Sequence, residues 1–112
     1  MHFPLIEKTD VIGVIGAGTM GAGIAQLAAV HGHPVRLLDT TEGAAAAAIA
    51  RIAKALAVLV DKGRISEADC NAAISRLQPV DTLDAMADAA LVIEAIVENL
   101  QIKQQLMRTA HL

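Results

Sequence analysis

Aromatic side chains are almost missing: Phe3 is the single one in 112 residues, and Trp and Tyr do not occur. The chain therefore offers no rings on which bases could stack. A formal charge of -3 and a pI near 5.7 also deny it a basic field for a phosphate backbone. Nucleic acid is not an expected partner. Cysteine is equally scarce. Cys70 alone cannot close an internal disulfide, and no Cys/His spacing resembles a zinc site, so no metal is expected and the chain reads as cytoplasmic. Within the polar stretch Ser66 to Asn71, Cys70 reads as an idle thiol on a helix and not as a nucleophile. What is abundant is small and aliphatic. With 54% hydrophobic residues the chain has material for one packed core built from Ala, Val, Ile and Leu.

Charge is missing altogether from Val11 to Val30, a stretch as long as a membrane-spanning helix. It holds Gly13, Gly16, Gly18, Gly21 and Gly23, each costing a helix about 1 kcal/mol relative to Ala. Glu7, Lys8 and Asp10 spoil the basic flank of a signal peptide. A strand, a turn and a helix explain the stretch better, and no membrane is expected.

Val11 to Ile15 is a β-branched run ending at glycine, hence a buried strand. From about Met20 the pattern turns helical, with Ile24, Leu27 and Ala28 at three- and four-residue spacing, and Gly32 is placed to end that helix. Pro34 opens a second strand, Val35 to Leu38, which stops at Asp39. Thr40 or Thr41 can cap the next helix, which runs to about Asp61. Ala45, Ile49, Ile52, Leu56, Leu59 and Val60 fall on its apolar face; Arg51, Lys54 and Lys62 fall on the solvated one. Ser66 to Asp69 nearly forms a capping box for a further helix ending around Leu77. This places a helical pair at about 42–77. Strands are expected at Leu77–Val80 and Leu91–Glu94, with a helical turn at Leu83–Ala87 between them. Ile102, Leu106 and Ala110 predict a last helix. The alternation makes this an α/β fold with a parallel sheet flanked by helices on both faces.

Gly16-Ala-Gly18-Thr-Met-Gly21 follows a strand and opens a helix, the context that turns a GxGxxG from a common pattern into a dinucleotide site. Gly16 permits the tight turn, Gly18 lets the backbone approach a pyrophosphate, and Gly21 lets the helix lie close on the sheet. The amide groups of the helix start, at Thr19 and Met20, favour the phosphate charge. A P-loop would need Lys and Ser/Thr after its last glycine, but Ala22 and Gly23 follow. Asp39 lies at the end of strand two, placed to accept hydrogen bonds from the adenosine ribose. Its charge repels a 2′-phosphate, and no arginine follows in Thr40-Thr41-Glu42, so NAD is preferred over NADP. The alternative is that Asp39 merely caps the next helix.

With the segments Val14-Ile-Gly-Ala-Gly-Thr-Met-Gly-Ala-Gly-Ile-Ala-Gln26, Gly32-His33, Asp39 and Ile93-Glu-Ala-Ile-Val-Glu-Asn-Leu100, the chain resembles the 3-hydroxyacyl-CoA dehydrogenases over nearly its whole length. The bacterial 3-hydroxybutyryl-CoA type is the most similar kind. The second segment, with its EAIVEN run, is the more specific. The resemblance implies a Rossmann-type NAD-binding domain of fatty acid metabolism in which Asp39 binds the adenine ribose. By the same resemblance Ala95, Ile96 and Val97 line the path to the nicotinamide, and Glu98 and Lys103 contact the ribose beside it. Lys62 matches a residue that meets the phosphate of coenzyme A. Taken by themselves, Glu98 and Lys103 read as a solvated pair, and Lys62 as a solvated lysine.

Oxidising a 3-hydroxyl group also needs a base, most often histidine. His2, His31, His33 and His111 sit in a leader, at a helix end, before a strand and at the last positions, and none reads as that base. The resemblance places the catalytic residues beyond Leu112. It implies that residues 1–112 form a partial domain, cut before the family's remaining strands and C-terminal helical domain, that binds NAD and lacks catalysis by itself. The full-length protein is expected to be a homodimer acting on an acyl-CoA. Two other readings stay open: a stand-alone nucleotide-sensing or interaction module, and a related hydroxy-acid dehydrogenase, against which EAIVEN argues.

Overall fold

Short aliphatic runs make the strands, and the helices between them force those strands to pair in parallel. The computed structural model describes residues 9–95. Within them the chain runs β1 (Ile12–Ile15), α1 (Thr19–Val30), β2 (Val35–Leu38), α2 (Ala44–Asp61), α3 (Glu67–Ser75), β3 (Leu77–Val80), a 3-10 turn (Leu83–Met86) and β4 (Leu91–Glu94). The strands form one sheet in the order β3-β2-β1-β4, every pair parallel. The charge-free stretch is thus divided between β1, a turn and the 12-residue α1. No helix among the described residues is long and apolar enough to cross a membrane. The helix expected from Asn99 lies outside the described residues.

Side chains alternate across a strand. Ile12 and Val14 of β1, Val35 and Leu37 of β2 and Leu77 of β3 all enter one core with residues of α1, α2 and α3. Three helices therefore share one face of the sheet and pack on one another. Among the described residues the opposite face carries the 3-10 turn alone, whose Met86 Sδ occupies the space a Cβ on Gly13 would need. Helices on both faces were expected; among the described residues the second face has this one turn. Arg36 points to that face from β2. Its guanidinium donates to the carbonyl of Ala85 (2.7 Å) and pairs with the carboxylate of Asp88, which fastens the turn to the sheet.

Two details of the helices differ from the pattern expected. In α1 the buried stripe is Gly21, Ala25 and Ala29, while Leu27 is 61% exposed. A sheet surface of Val and Leu leaves room for a helix only if its facing residues are small, so volume overrides hydrophobicity. In α2, Ala45, Ile52 and Leu56 are buried as the periodicity predicts, Ile49, Leu59 and Val60 are half-buried against the same core, and Ala48 is buried beside them without having been expected, but neither Thr40 nor Thr41 caps it. The N-cap is Gly43, in a left-handed conformation without a side-chain cap. The chain first makes a turn in which the Thr41 N–H donates to Asp39 Oδ1 (2.8 Å), and the helix starts only after that turn. The helical pair accordingly spans Ala44–Ser75, slightly inside the limits expected. Ser66 does cap α3, accepting from the Asp69 amide at 3.0 Å. Cys70, although flanked by polar residues, is buried in the core as a small apolar group.

Because Arg36 holds the only cover on the second face of the described sheet, Arg36→Ala is expected to lower stability by about 1–2 kcal/mol. Hydrogen exchange should rise at the amides of residues 84–90. Asp88→Ala should cost less, since Arg36 keeps the Ala85 carbonyl. Denaturant titration of both variants checks the order.

Candidate functional site

The parallel strands deliver four segments to one end of the sheet. β1 runs into Gly16, β2 into Asp39, β3 into Asp81 and β4 into Ala95. Between β1 and β4 the strand order reverses, because α1 carries the chain to one side of β1 while β4 lies on the other. Such a reversal leaves a crevice beyond the carboxyl ends of the strands, where doubly wound sheets hold their ligands. The Gly16 amide donates to Leu38 O (2.7 Å) and the Ala95 amide to Ile15 O (2.7 Å), so the walls of the crevice are tied to β1.

The turn itself rests on two glycines. Gly16 has φ 108, a conformation closed to most side chains. Gly21 lies so close to it that an added Cβ would overlap the Gly16 carbonyl oxygen, come within 2.8 Å of its carbon, and stand 3.5 Å from Ala95 Cβ. Gly21 thus seats α1 on the turn and on the residue after β4 as well as on the sheet. Gly18, the N-cap, is extended (φ -73, ψ -169), so any demand for glycine there comes from what approaches the turn. Ala22 is the first residue to donate within the helix, to Gly18 O at 2.8 Å. Helix geometry leaves the amides of Thr19, Met20 and Gly21 with no intrahelical acceptor. With the positive end of the helix dipole they form an anion-binding cup that needs no lysine.

Asp39 does not cap α2. Its Oδ2 accepts from the Ala17 amide at 2.7 Å and its Oδ1 from Thr41, joining the glycine turn to the β2–α2 loop. These two backbone donors, the Ala17 amide first, hold the carboxyl below the usual carboxylate range against a smaller opposing effect of burial. On its β3 side lies an open cleft of about 520 Å³ lined by Asp39, Thr41, Gly43, Ala46, Pro79 and Asp81, among others.

One residue at the turn escaped the sequence. Arg51, assigned by periodicity to the solvated face of α2, sends Nη2 to the carbonyl of Ala17 at 3.1 Å. No spacing rule could reveal a contact made across 34 residues between two elements. A faint signal is that Arg51 is the first charged residue in an alanine-rich helix. Lys62 is exposed at the C-cap of α2, eleven residues beyond Arg51 or roughly 16 Å along the axis. Arg64, just past it, shares a cleft with Val30 and Gly32 at the far end of α1. The structure thus sets Lys62 apart from the glycine turn. Ile96, Val97, Glu98 and Lys103 lie outside the described residues.

A parallel sheet reversing at β1/β4, a glycine turn opening a helix and an acidic residue ending β2 define a Rossmann-type dinucleotide-binding domain. Residues 11–111 match the NAD-binding domain of 3-hydroxyacyl-CoA dehydrogenase, and the chain belongs to that family, with NAD as its cofactor. It is 45% identical over 102 residues to a 3-hydroxyadipyl-CoA dehydrogenase of Escherichia coli K12, covering 91% of this chain and 22% of that protein. A probable 3-hydroxybutyryl-CoA dehydrogenase of Bacillus subtilis is 42% identical over 96 residues, covering 86% and 33%. The crystal structure of a 3-hydroxybutyryl-CoA dehydrogenase from Escherichia coli K12 superposes with a TM-score of 0.77 at 43% identity, covering 89% of this chain and 21% of that one. That of an (S)-3-hydroxybutyryl-CoA dehydrogenase from Ralstonia eutropha gives 0.76 at 35%, covering 90% and 36%. The chain spans between a fifth and a third of the length of these curated relatives. The family resemblance read from the glycine turn and EAIVEN is borne out, as are the fold and the cofactor.

Two glycines of α1 should respond in opposite ways. Gly21→Ala must displace backbone and is expected to cost about 3 kcal/mol or more, with loss of NAD binding. A Cβ on Gly23 meets nothing within 4 Å, so Gly23→Ala should stabilise α1 by roughly 0.5–1 kcal/mol. Thermal unfolding and NAD titration of the pair decide it.

The Asp39 carboxyl gives a second test. Its folded-state pKa lies below the ordinary value of 3.8. Its contribution to stability is therefore complete above that value and lost as pH falls through the folded pKa. Asp39→Asn should flatten the acid limb of Tm against pH and leave the profile above pH ~6 parallel to wild type. An unchanged acid limb would detach Asp39 from the turn.

Proposed function

We propose that these 112 residues are the cofactor-holding part of an enzyme that oxidises (S)-3-hydroxyacyl-CoA to 3-oxoacyl-CoA. The observation that carries this reading is the seat of Gly21 on Gly16 beside Asp39, at the strand reversal, in a chain of this family. When bound, NAD supplies the hydride acceptor.

The residues of this chain then divide the work of holding it. The amides of Thr19, Met20 and Gly21 meet the pyrophosphate, and Gly18 lets it approach the backbone. Asp39 accepts from the adenosine ribose hydroxyls. Each carboxylate oxygen has a second lone pair beyond the one given to Ala17 or Thr41, so the turn stays fastened while the ribose binds. The cleft between Asp39 and Pro79 receives the adenine. Ala95, buried and bonded to Ile15, begins the path to the nicotinamide. By resemblance Ile96 and Val97 continue it, with Glu98 and Lys103 at the second ribose. Lys62, at the free end of α2, meets the coenzyme A phosphate of the substrate.

By resemblance to the family, the proton of the hydroxyl is taken by a group that is not among these residues. The 112 residues bind NAD and do not turn substrate over. The whole protein is a cytoplasmic homodimer on this reading. Calorimetric titration is expected to show NAD binding that Asp39→Ala weakens by about 1–3 kcal/mol. NADH with acetoacetyl-CoA should give no turnover above background. Turnover at enzymatic rates would place a base within these residues, and absence of NAD binding would favour an interaction module.

A further inference from the structure

We infer that Arg51 is a latent binding group for a phosphate on the adenosine ribose, so that Asp39 alone keeps the site selective for NAD over NADP. The inference rests on the cofactor reading above and adds a specificity residue to it. In sequence no cation follows Asp39; in the fold one arrives from α2.

Both charged groups grip the same residue. Asp39 Oδ2 accepts from the Ala17 amide at 2.7 Å, and Arg51 Nη2 donates to the Ala17 carbonyl at 3.1 Å. Ala17 is only 4% exposed, so its peptide groups fix the two side chains on either side of the turn. The charges stand within about 10 Å of each other. Each is held by main-chain groups: Asp39 by the amides of Ala17 and Thr41, Arg51 by the carbonyl of Ala17. A guanidinium has five N–H donors. One of Arg51's is spent on Ala17, and the rest remain on an exposed side chain at the rim of the turn.

A ribose whose hydroxyls bond to Asp39 sets any 2′-phosphate against the carboxylate, where like charges repel, and the nearest cation bonded to the same turn is the Arg51 guanidinium, whose planar donors suit phosphate. The site therefore holds both the element that rejects the phosphate and the element that would accept it. Removing the first exposes the second.

The test titrates the 112-residue chain with NAD and with NADP in wild type, Asp39→Asn, Arg51→Gln and the double variant. Asn keeps an oxygen for the Ala17 amide, while its NH2 replaces the oxygen that accepts from Thr41, so the variant removes the charge together with the Thr41 bond. Asp39→Asn is expected to tighten NADP roughly tenfold to a hundredfold, and the double variant to lose that gain. The tightened NADP binding should also weaken with added salt more steeply than NAD binding does. A second measurement does not depend on how Asp39→Asn folds: in the wild-type background, Arg51→Gln should weaken the residual affinity for 2′,5′-ADP several-fold more than that for 5′-AMP. No gain in Asp39→Asn, an equal gain in the double variant, or equal losses for the two mononucleotides overturns the role of Arg51. Failure of the wild type to bind NAD is a separate result, and it removes the cofactor reading itself.

Discussion

The backbone of α1 lies against the carbonyl of Gly16, and every other part of the site takes its place from that contact. It exists because two residues have no side chain: Gly16 can adopt φ 108, and Gly21 leaves empty the space its Cβ would fill. The first amides of the helix are thereby aimed at whatever lies over the turn. A side chain at either position would move the helix away from the sheet, and the cup of amides would move with it.

The sheet supplies the second constraint. Parallel pairing requires crossovers, and their right-handed sense places α1, α2 and α3 together on one face. Those helices fit there because alanines face the sheet in α1 and α2. The same close packing brings α2 near enough for Arg51 to touch the turn, so the small side chains that build the core also deliver a charge to the site. Asp39 arrives from the other direction, at the end of β2. The turn is clamped between a strand end and a helix flank before any ligand is present, which spares a bound dinucleotide the cost of ordering it.

Much of this was legible in the residues. Strands β2, β3 and β4 fall where periodicity and β-branching place them, and the glycine turn with Asp39 announces its chemistry through spacing alone. Local chemistry also predicts the Ser66 cap and the end of α1 at Gly32. What escaped were matters of volume and of distant contact. Leu27 looked like core by its spacing and lies in solvent because the sheet admits only Gly21, Ala25 and Ala29. The threonines before α2 looked like caps, but Asp39 had already drawn the Thr41 amide into a turn of its own. Arg51 looked solvated because its partner is a main-chain carbonyl of another element, to which no side-chain pattern points.

The pairing of the strands also sets an entropic order on the site. Ile12 pairs with Val35 on one side and with Leu91 on the other, closing loops of roughly 20 and roughly 80 residues. The wider closure costs about 1 kcal/mol more in chain entropy. The wall of the crevice formed by β1 and β2, which carries the turn and Asp39, is a local product of the chain. The wall formed by β4 and Ala95 is a long-range one, held to β1 by strand pairing and by the seat of Gly21.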